Sequence, residues 1–403
     1  MRLSAAFATG VFLVTAAAAF GQTGLAPMRP GPFPDTKSGI HLEMVFNSVL
    51  FANGHLGDET GVVDLVWGSY SATQPPGMYN SFYIPIPVDD AFGATQDIAW
   101  YQAHHADWLE YECDKTTLAF QDSQHQRAPL DFANPAVRTY QWSNWIDPAL
   151  TAGYQSIAVD LPDLRNDVQR CGHYDGANHW VQQYSGNPDD SAFTRDMLQW
   201  TKLTLKHIHQ QNATATMQLN APYNFQASLA DNQTLMSTTD LLFDERGFTN
   251  YGNSPPVPTP DQWQTIVGQI DFLQSKRICL MLNGEEPQDS ADITPAERQW
   301  AIGNYLLVKD GCTYMYMTGQ QQYGDLVTFP EYGIAIGKPQ GARFATQGIW
   351  ERAYSGGLTL VNPSNATAVV DLPSGRWFDV NGNRMGPSVT LTQQTALVLL
   401  KKR

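Results

Sequence analysis

Three apolar runs decide the fold of this chain: TATMQLN at 214–220, LLFDE at 241–245 and RICLMLN at 277–283. Each is short and rich in residues that favour strands, as a strand buried on both faces requires. Residues 224–237 and 259–275, which lie between the runs, have the periodicity of amphipathic helices. Strands that alternate with helices in this way predict a parallel sheet.

The same alternation continues on both sides of this segment. The complete set of predicted strands is 42–47, 62–69, 106–113, 156–160, 214–220, 241–245, 277–283 and 313–319. The predicted helices are 135–152, 190–211, 224–237, 259–275 and 295–309. Eight strands with intervening helices predict an α/β fold, a (β/α)8 TIM barrel over residues 41–340, with a doubly wound open sheet as the alternative.

The rhythm changes after Gly348, where six short runs rich in Val, Leu and Thr follow one another. Turn clusters separate them, and Asn381-Gly382 between two such runs is a strong hairpin signal. Residues 345–403 are therefore predicted to form a small antiparallel β-sandwich.

The composition limits the kinds of molecule that this protein can bind. The 403 residues include 39 acidic and 24 basic side chains, a formal charge of −15, and 11% are aromatic. A chain this apolar is folded, and its acidic surface repels nucleic acid and anionic lipid. We therefore expect a neutral partner, with no nucleic acid and no membrane contact once the signal is removed.

The amino-terminal segment predicts export. Arg2 precedes an apolar stretch that ends in Ala19-Phe20-Gly21, a pattern that signal peptidase cuts. Residues 1–21 are interpreted as a signal peptide and 22–40 as a leader, so the mature protein is expected to be secreted or periplasmic.

Four cysteines accompany this export signal, and none forms a CxxC pair. In an oxidising compartment, Cys113 and Cys171 are predicted to form a disulfide. Cys279 and Cys312 fit a second disulfide or buried free thiols equally well.

The sequence lacks the motifs of several enzyme classes. The sequence has no GxSxG nucleophile elbow, and its nearest phosphate-loop lookalike ends in Lys338-Pro339. His207 and His209 are two apart on a predicted helix and point to different faces. We therefore predict no metal and no cofactor.

The remaining candidates for catalytic residues are carboxylates at the ends of predicted strands. In a TIM barrel the active site forms at the carboxyl ends of the strands. Asp160 ends the fourth predicted strand, and the adjacent Asp244 and Glu245 end the sixth; only one of these two can enter the barrel mouth. Paired carboxylates suggest glycoside hydrolysis, and we assign Asp160 and Glu245.

Other residues near strand ends and the following loops are candidates for binding a sugar, through ring stacking or hydrogen bonds. They are Trp67, Glu110, Asp114, Asp163, Arg165, Trp180, Asn220, Arg246, Glu285 and Tyr316.

Scattered motifs resemble bacterial TIM-barrel glycoside hydrolases of the α-galactosidase and endo-α-1,4-polygalactosaminidase superfamily. They are GYQSIAVDL at 153–161, RCGHY at 170–174, WVQQYSG at 180–186, YGIAIGKP at 332–339, WERAY at 350–354 and GLTLVNPS at 357–364. The resemblance implies that the strand-four acid, Asp160, is the nucleophile and that the strand-six acid, Glu245, is the acid/base of a retaining enzyme. A non-catalytic carbohydrate-binding protein on the same barrel is the alternative.

Overall fold

The computed structural model describes residues 33–91, 95–250, 256–319 and 322–401. The predicted signal peptide, 1–21, and residues 22–32 of the leader lie outside this part. Among the described residues, no helix has both the length and the apolar character needed to cross a membrane.

A sheet of eight parallel strands forms the centre of the molecule, and its strands follow one another in chain order. A parallel bridge between Leu42 and Met315 joins the first strand to the last and closes the barrel. The strands are β1 (Glu43–Val45), β2 (Leu65–Trp67), β3 (Tyr79–Pro85), β4 (Ser156–Asp160), β5 (Thr216–Asn220), β6 (Leu241–Asp244), β7 (Cys279–Glu286) and β8 (Thr313–Gly319). The predicted TIM barrel is therefore confirmed, and the open sheet is not formed.

Helices cover the outside of the barrel. The longer ones are Pro135–Gln141, which continues through a π-helical turn at Trp142–Ile146 into Asp147–Ala152, and then Ser191–Gln211, Leu229–Met236, Pro260–Ser275 and Pro295–Val308. Short helices lie at Ser48–Asn53, Leu56–Glu59, Ile98–His104, Ala106–Trp108, Ser290–Asp292 and Pro330–Gly333. Thr259 and Thr294 each begin a helix with a capping box, which satisfies amide groups that the first turn leaves free.

Alternation along the strands decides which side chains enter the barrel. On β6, Leu241 and Phe243 belong to the cluster inside the barrel, whereas Leu242 packs in the cluster beneath the helices. Because side chains alternate between faces, Glu245, which follows β6 directly, shares the inward direction of Phe243. The last inward position of a strand thus lies at the barrel mouth.

The prediction of the third strand at 106–113 was wrong. The third barrel strand is Tyr79–Pro85, which pairs with both β2 and β4. Residues 106–113 instead contain a 3-10 turn, Ala106–Trp108, and a two-residue strand, Tyr111–Glu112. The latter belongs to a separate three-stranded sheet with Arg170–Tyr174 and Trp180–Gln182, which we call the side sheet.

Both pairs of cysteines form disulfides. The predicted Cys113–Cys171 bond is confirmed, and it ties the side sheet together across 58 residues. Cys279 and Cys312 form the second bond, so the free-thiol alternative is wrong. Cys279 begins β7, and Cys312 directly precedes β8. Because these two strands are adjacent, the Cα atoms of the cysteines lie 5.0 Å apart.

Removing the side-sheet disulfide is expected to destabilise the protein. A Cys113→Ala, Cys171→Ala double variant should lose about 2–4 kcal/mol of unfolding free energy, because the unfolded chain regains the freedom of a long loop. Guanidinium denaturation of oxidised wild type and variant measures this difference. Coincident unfolding curves would contradict the expectation.

The carboxyl-terminal region is the predicted antiparallel β-sandwich. A five-stranded sheet faces a two-stranded sheet across a small core that includes Leu360, Trp377 and Leu391. The strands are Phe344–Thr346, Ile349–Ala353, Gly357–Asn362, Ala368–Asp371, Trp377–Phe378, Ser388–Leu391 and Thr395–Lys401. The hydroxyl of Thr359 donates to the carbonyl of Gly303 at 3.1 Å, and so joins the sandwich to the last barrel helix.

Candidate active site

Asp160 ends β4 at the barrel mouth, where three donors surround its carboxylate. Oδ2 accepts from the Tyr83 hydroxyl at 2.9 Å. Oδ1 accepts from the Asn220 amide at 3.0 Å and from the backbone amide of Leu161 at 2.9 Å. Leu161 adopts a left-handed conformation, φ 58°, which is strained for a residue with a side chain and is typical of functional sites.

Burial sets the charge state of Asp160. Desolvation by burial, followed by the electrostatic interaction with Glu245, raises the pKa of this carboxyl to about 6. The hydrogen bonds from Leu161, Tyr83 and Asn220 oppose this shift because they favour the ionised form. Asp160 is therefore an ionised but poorly solvated carboxylate at neutral pH.

Glu245 lies close to Asp160 because a single side chain holds both. The Nδ2 atom of Asn220, at the end of β5, donates to Asp160 Oδ1 at 3.0 Å and to Glu245 Oε2 at 2.9 Å. These two oxygens are thus no more than about 6 Å apart, the combined length of the two bonds. The two predicted catalytic acids and the predicted binding residue Asn220 meet at one place.

Asp244 points the other way. Its side chain lines a small apolar pocket between β6 and the helix Pro260–Ser275, together with Leu242 and Ile266. There its Oδ1 accepts from the backbone amides of Arg246 and Gly247, at 3.2 and 3.1 Å. Of the adjacent acids, Glu245 is the one at the barrel mouth.

A third carboxylate joins the set from β7. The hydroxyl of Tyr323, on the loop after β8, lies 3.0 Å from Glu245 Oε1 and also contacts Glu285 Oε2. Asp160, Asn220, Glu245, Tyr323 and Glu285 therefore form one continuous hydrogen-bonded chain across the mouth. We call these five residues the carboxylate chain.

Sequence reasoning missed both tyrosines of this region. Tyr83 lies on the third barrel strand, where the run YNSFYIP at 79–85 carries a strand signal that its terminal proline obscures. Tyr323 lies in a loop with no periodicity, and only the barrel closure brings it to Glu245. A tyrosine in such a loop carries no signal in the sequence.

Two other predicted residues, Asp163 and Arg165, lie in the loop after β4. Asp163 is near enough to Asp160 for the two charges to interact, its pKa is raised to about 6, chiefly by burial, and it accepts from Gln121 at 2.9 Å. Arg165 pairs with Asp189 and lines an open cavity of about 360 Å³ outside the carboxylate chain.

Arg246 holds the loop after β5. Its guanidinium donates to the carbonyl of Tyr223 and lies 5.6 Å from the centre of the Phe225 ring. These contacts fix the wall of the mouth beside Asn220.

Two predicted binding residues are packed in the protein interior. Trp67 is 2% exposed and lies against Tyr83 and Phe243, with ring centroids 5.3 and 5.0 Å away. Tyr316 is 1% exposed, and its hydroxyl donates to the carbonyl of Asp325 at 2.9 Å. The prediction that they stack on a sugar conflicts with this burial, because their rings face protein.

Glu110, Asp114 and Trp180 belong to the side sheet and its turns, so the strand-end argument for the first two was wrong. Glu110 is fully buried in an ion pair with Arg170. Asp114 is exposed and accepts from the Thr117 hydroxyl and from the backbone amides of Thr117 and Thr116, which lowers its pKa. Trp180 donates to the Gln182 side chain at 2.9 Å.

The site offers carboxylate, amide and phenol groups for chemistry. Within the described ranges, no group of three His, Cys, Asp or Glu side chains is arranged to hold a metal ion. The carboxylates themselves can act as nucleophile, acid or base, as two-carboxylate hydrolysis requires.

Comparison with known proteins gives the fold. No protein-family model matches the sequence, and a search of curated proteins found no match. The structure is similar to a noncanonic maltogenic α-amylase from Thermotoga neapolitana, with 9% identity and a TM-score of 0.52 over 90% of this chain and 99% of that chain. An α-amylase from Geobacillus thermoleovorans, complexed with acarbose, matches with 11% identity and a TM-score of 0.47 over 87% and 91%.

A further similar structure is the glycoside hydrolase domain of PelA from Pseudomonas aeruginosa, with 11% identity and a TM-score of 0.41 over 70% of this chain and 95% of that one. The likeness to the Thermotoga structure establishes a shared architecture. This chain is a TIM-barrel protein with a carboxyl-terminal β-sandwich, and its barrel mouth carries the carboxylate chain.

Proposed function

We propose that this protein is an exported glycoside hydrolase that cleaves O-glycosidic bonds in a neutral oligo- or polysaccharide. The observation that carries the proposal is the shared amide of Asn220, which holds the Asp160 and Glu245 carboxylates together at the barrel mouth. The two disulfides agree with export, because such bonds persist in oxidising compartments.

The spacing of the acids favours a retaining mechanism. Retaining enzymes place their carboxyl groups about 5–5.5 Å apart, and inverting enzymes leave about 6.5–9.5 Å for a water molecule. The nearest oxygens of Asp160 and Glu245 are within about 6 Å, on the side of retention.

In the first step, an Asp160 oxygen bonds to the anomeric carbon while the bond to the leaving oxygen breaks, and Glu245 gives that oxygen its proton. In the second step, Glu245 takes a proton from water as the water attacks the anomeric carbon and releases Asp160. Each cycle thus consumes one water and restores both carboxyls. Tyr83 and Leu161 hold Asp160 in position through both steps.

Activity is expected to fall in acid. Asp160 attacks only when ionised, and burial raises the pKa of its carboxyl to about 6. We expect kcat/KM to decrease about tenfold per pH unit below about pH 6. A pH–rate profile measures this limb, and circular dichroism at each pH checks that the fold persists. A profile that stays flat to pH 4 would remove Asp160 from the nucleophile's role.

A substrate screen tests the proposal. The mature protein is incubated with a panel of neutral bacterial and plant polysaccharides, and a variant without the Asp160 carboxylate serves as the blank. Release of new reducing ends from at least one polymer, absent in the blank, is expected. Binding without release by either protein would favour the non-catalytic carbohydrate-binding function instead.

A further inference from the structure

Tyr323 is placed between two acids by a loop that is itself held in position. The hydroxyl of Tyr316, on β8, donates to the carbonyl of Asp325 at 2.9 Å and accepts from the backbone amide of Val327 at 2.8 Å. These bonds fix the loop that carries Tyr323. Its hydroxyl then contacts both Glu245 and Glu285.

A phenol has one hydrogen to donate. Tyr323 keeps this hydrogen at working pH, because burial raises its pKa far above the ordinary value. It can therefore donate to one carboxylate only. Its contact with the other is favourable only when that carboxyl carries a proton and donates to the phenol oxygen, so the three groups together retain one extra proton.

Electrostatics decides which acid holds that proton. Along the carboxylate chain, Glu245 lies between Asp160 and Glu285. The order around the barrel is the same, because Asp160 ends β4, Glu245 follows β6, and Glu285 lies on β7. A proton on the central carboxyl leaves the two negative charges at the ends, where their repulsion is smallest. Asp160 moreover receives three hydrogen bonds that favour its ionised form.

We propose that Glu285 is a positioning residue that acts through the Tyr323 hydroxyl to keep the resting proton on Glu245. In the resting site Glu245 donates to the Tyr323 oxygen, and Tyr323 donates to ionised Glu285. When Glu245 gives its proton to the leaving oxygen, the Tyr323 hydroxyl can turn towards the new carboxylate; the proton later taken from water restores the first arrangement. This role rests on the acid/base function proposed for Glu245.

A titration tests the proposal without any substrate. Carbon-13 NMR of protein labelled at the glutamate side-chain carboxyls follows each carboxyl with pH, and the Glu245→Gln variant identifies the Glu245 signal. In the wild type, Glu245 is expected to stay protonated at neutral pH. Glu285→Gln and Tyr323→Phe should each lower its titration midpoint by about one pH unit or more.

Glu286→Gln is the matched control. Glu286 is the next residue on β7, its side chain has the opposite direction to that of Glu285, and Glu297 is the charge that acts on it. Its replacement should leave the Glu245 midpoint in place. Circular dichroism and thermal unfolding confirm that each variant is folded.

Two results would overturn the proposal: a resting proton found on Glu285, or a Glu245 midpoint that neither variant moves. If an active substrate is known, the alkaline limb of kcat/KM should move to lower pH in Glu285→Gln. A wild type that hydrolyses nothing but titrates as expected would refute the proposed function and leave the proton arrangement intact.

Discussion

Replacing Asp160 with Asn is expected to abolish hydrolysis, with kcat at least about a thousandfold below that of the wild type. The amide has nearly the same shape, but it cannot form the covalent bond to the anomeric carbon. Initial rates of reducing-end release on the best polysaccharide of the panel measure the loss. Asp240→Asn is the control, because Asp240 lies before β6, at the opposite end of the barrel, where it accepts from the backbone amide of Met217. A nearly active Asp160→Asn enzyme would exclude this residue as the nucleophile.

The same substitution should stabilise the protein at neutral pH. The folded state raises the pKa of Asp160 to about 6, so the ionised carboxylate costs folding free energy. That cost is absent below the unfolded value near pH 4, grows as pH rises, and is complete above about pH 6. Asn imitates the protonated form, so the variant should gain up to about 3 kcal/mol at pH 7 and little at pH 4. Denaturation at both pH values separates this gain from a general change in packing.

Glu245→Gln is expected to lower kcat/KM by about a hundredfold to ten-thousandfold, since the variant cannot protonate the leaving oxygen. The loss should be smallest for substrates with acidic leaving groups, such as aryl glycosides, which depart without full protonation. Azide should restore part of the rate, because this small anion attacks the glycosyl–enzyme intermediate without needing a base.

The adjacent acid provides the control for this prediction. Asp244→Asn keeps an oxygen that can accept from the backbone amides of Arg246 and Gly247, and its side chain faces the helix layer. Its activity should match that of the wild type. Equal losses in Glu245→Gln and Asp244→Asn would indicate a structural effect at the end of β6 and contradict the assignment of Glu245.

Much of this site was predictable because the strand ends carry a clear signal. Apolar runs that end in Asp160 and Glu245 indicate both the strands and the acids. Alternation of side chains then explains why Glu245, and not Asp244, enters the mouth. Seven of the eight predicted strands overlap barrel strands, because buried parallel strands are read from apolar runs alone.

The failures have physical causes. The segment 106–113 looks like a strand because it is rich in apolar residues, but Trp108 and Leu109 pack in the cluster beneath the helices without joining the barrel sheet. Glu110 in that segment is neutralised by Arg170, a partner 60 residues away that no local pattern reveals. Tyr83 and Tyr323 reach the acids through barrel closure, which is a property of the whole chain.

Burial also rules out the role that was predicted for two aromatic residues. The sequence associates Trp67 and Tyr316 with sugar stacking as residues at or near strand ends, but Tyr316 lies in the middle of β8, and both rings fill the barrel interior. The position of a residue along a strand determines which way its side chain points. How deeply that side chain is buried depends on its neighbours, such as Phe243 beside Trp67. Asp160 and Glu245, in contrast, are only partly buried.

The stereochemistry of the first product tests the central claim most directly. Proton NMR, recorded during hydrolysis of the best substrate, identifies the anomer that forms before mutarotation mixes the two forms. A two-step reaction through Asp160 predicts that the new reducing end first appears with the anomeric configuration of the bond that was cleaved. First appearance of the opposite anomer would show direct attack by water and contradict the assignment of Asp160 as nucleophile.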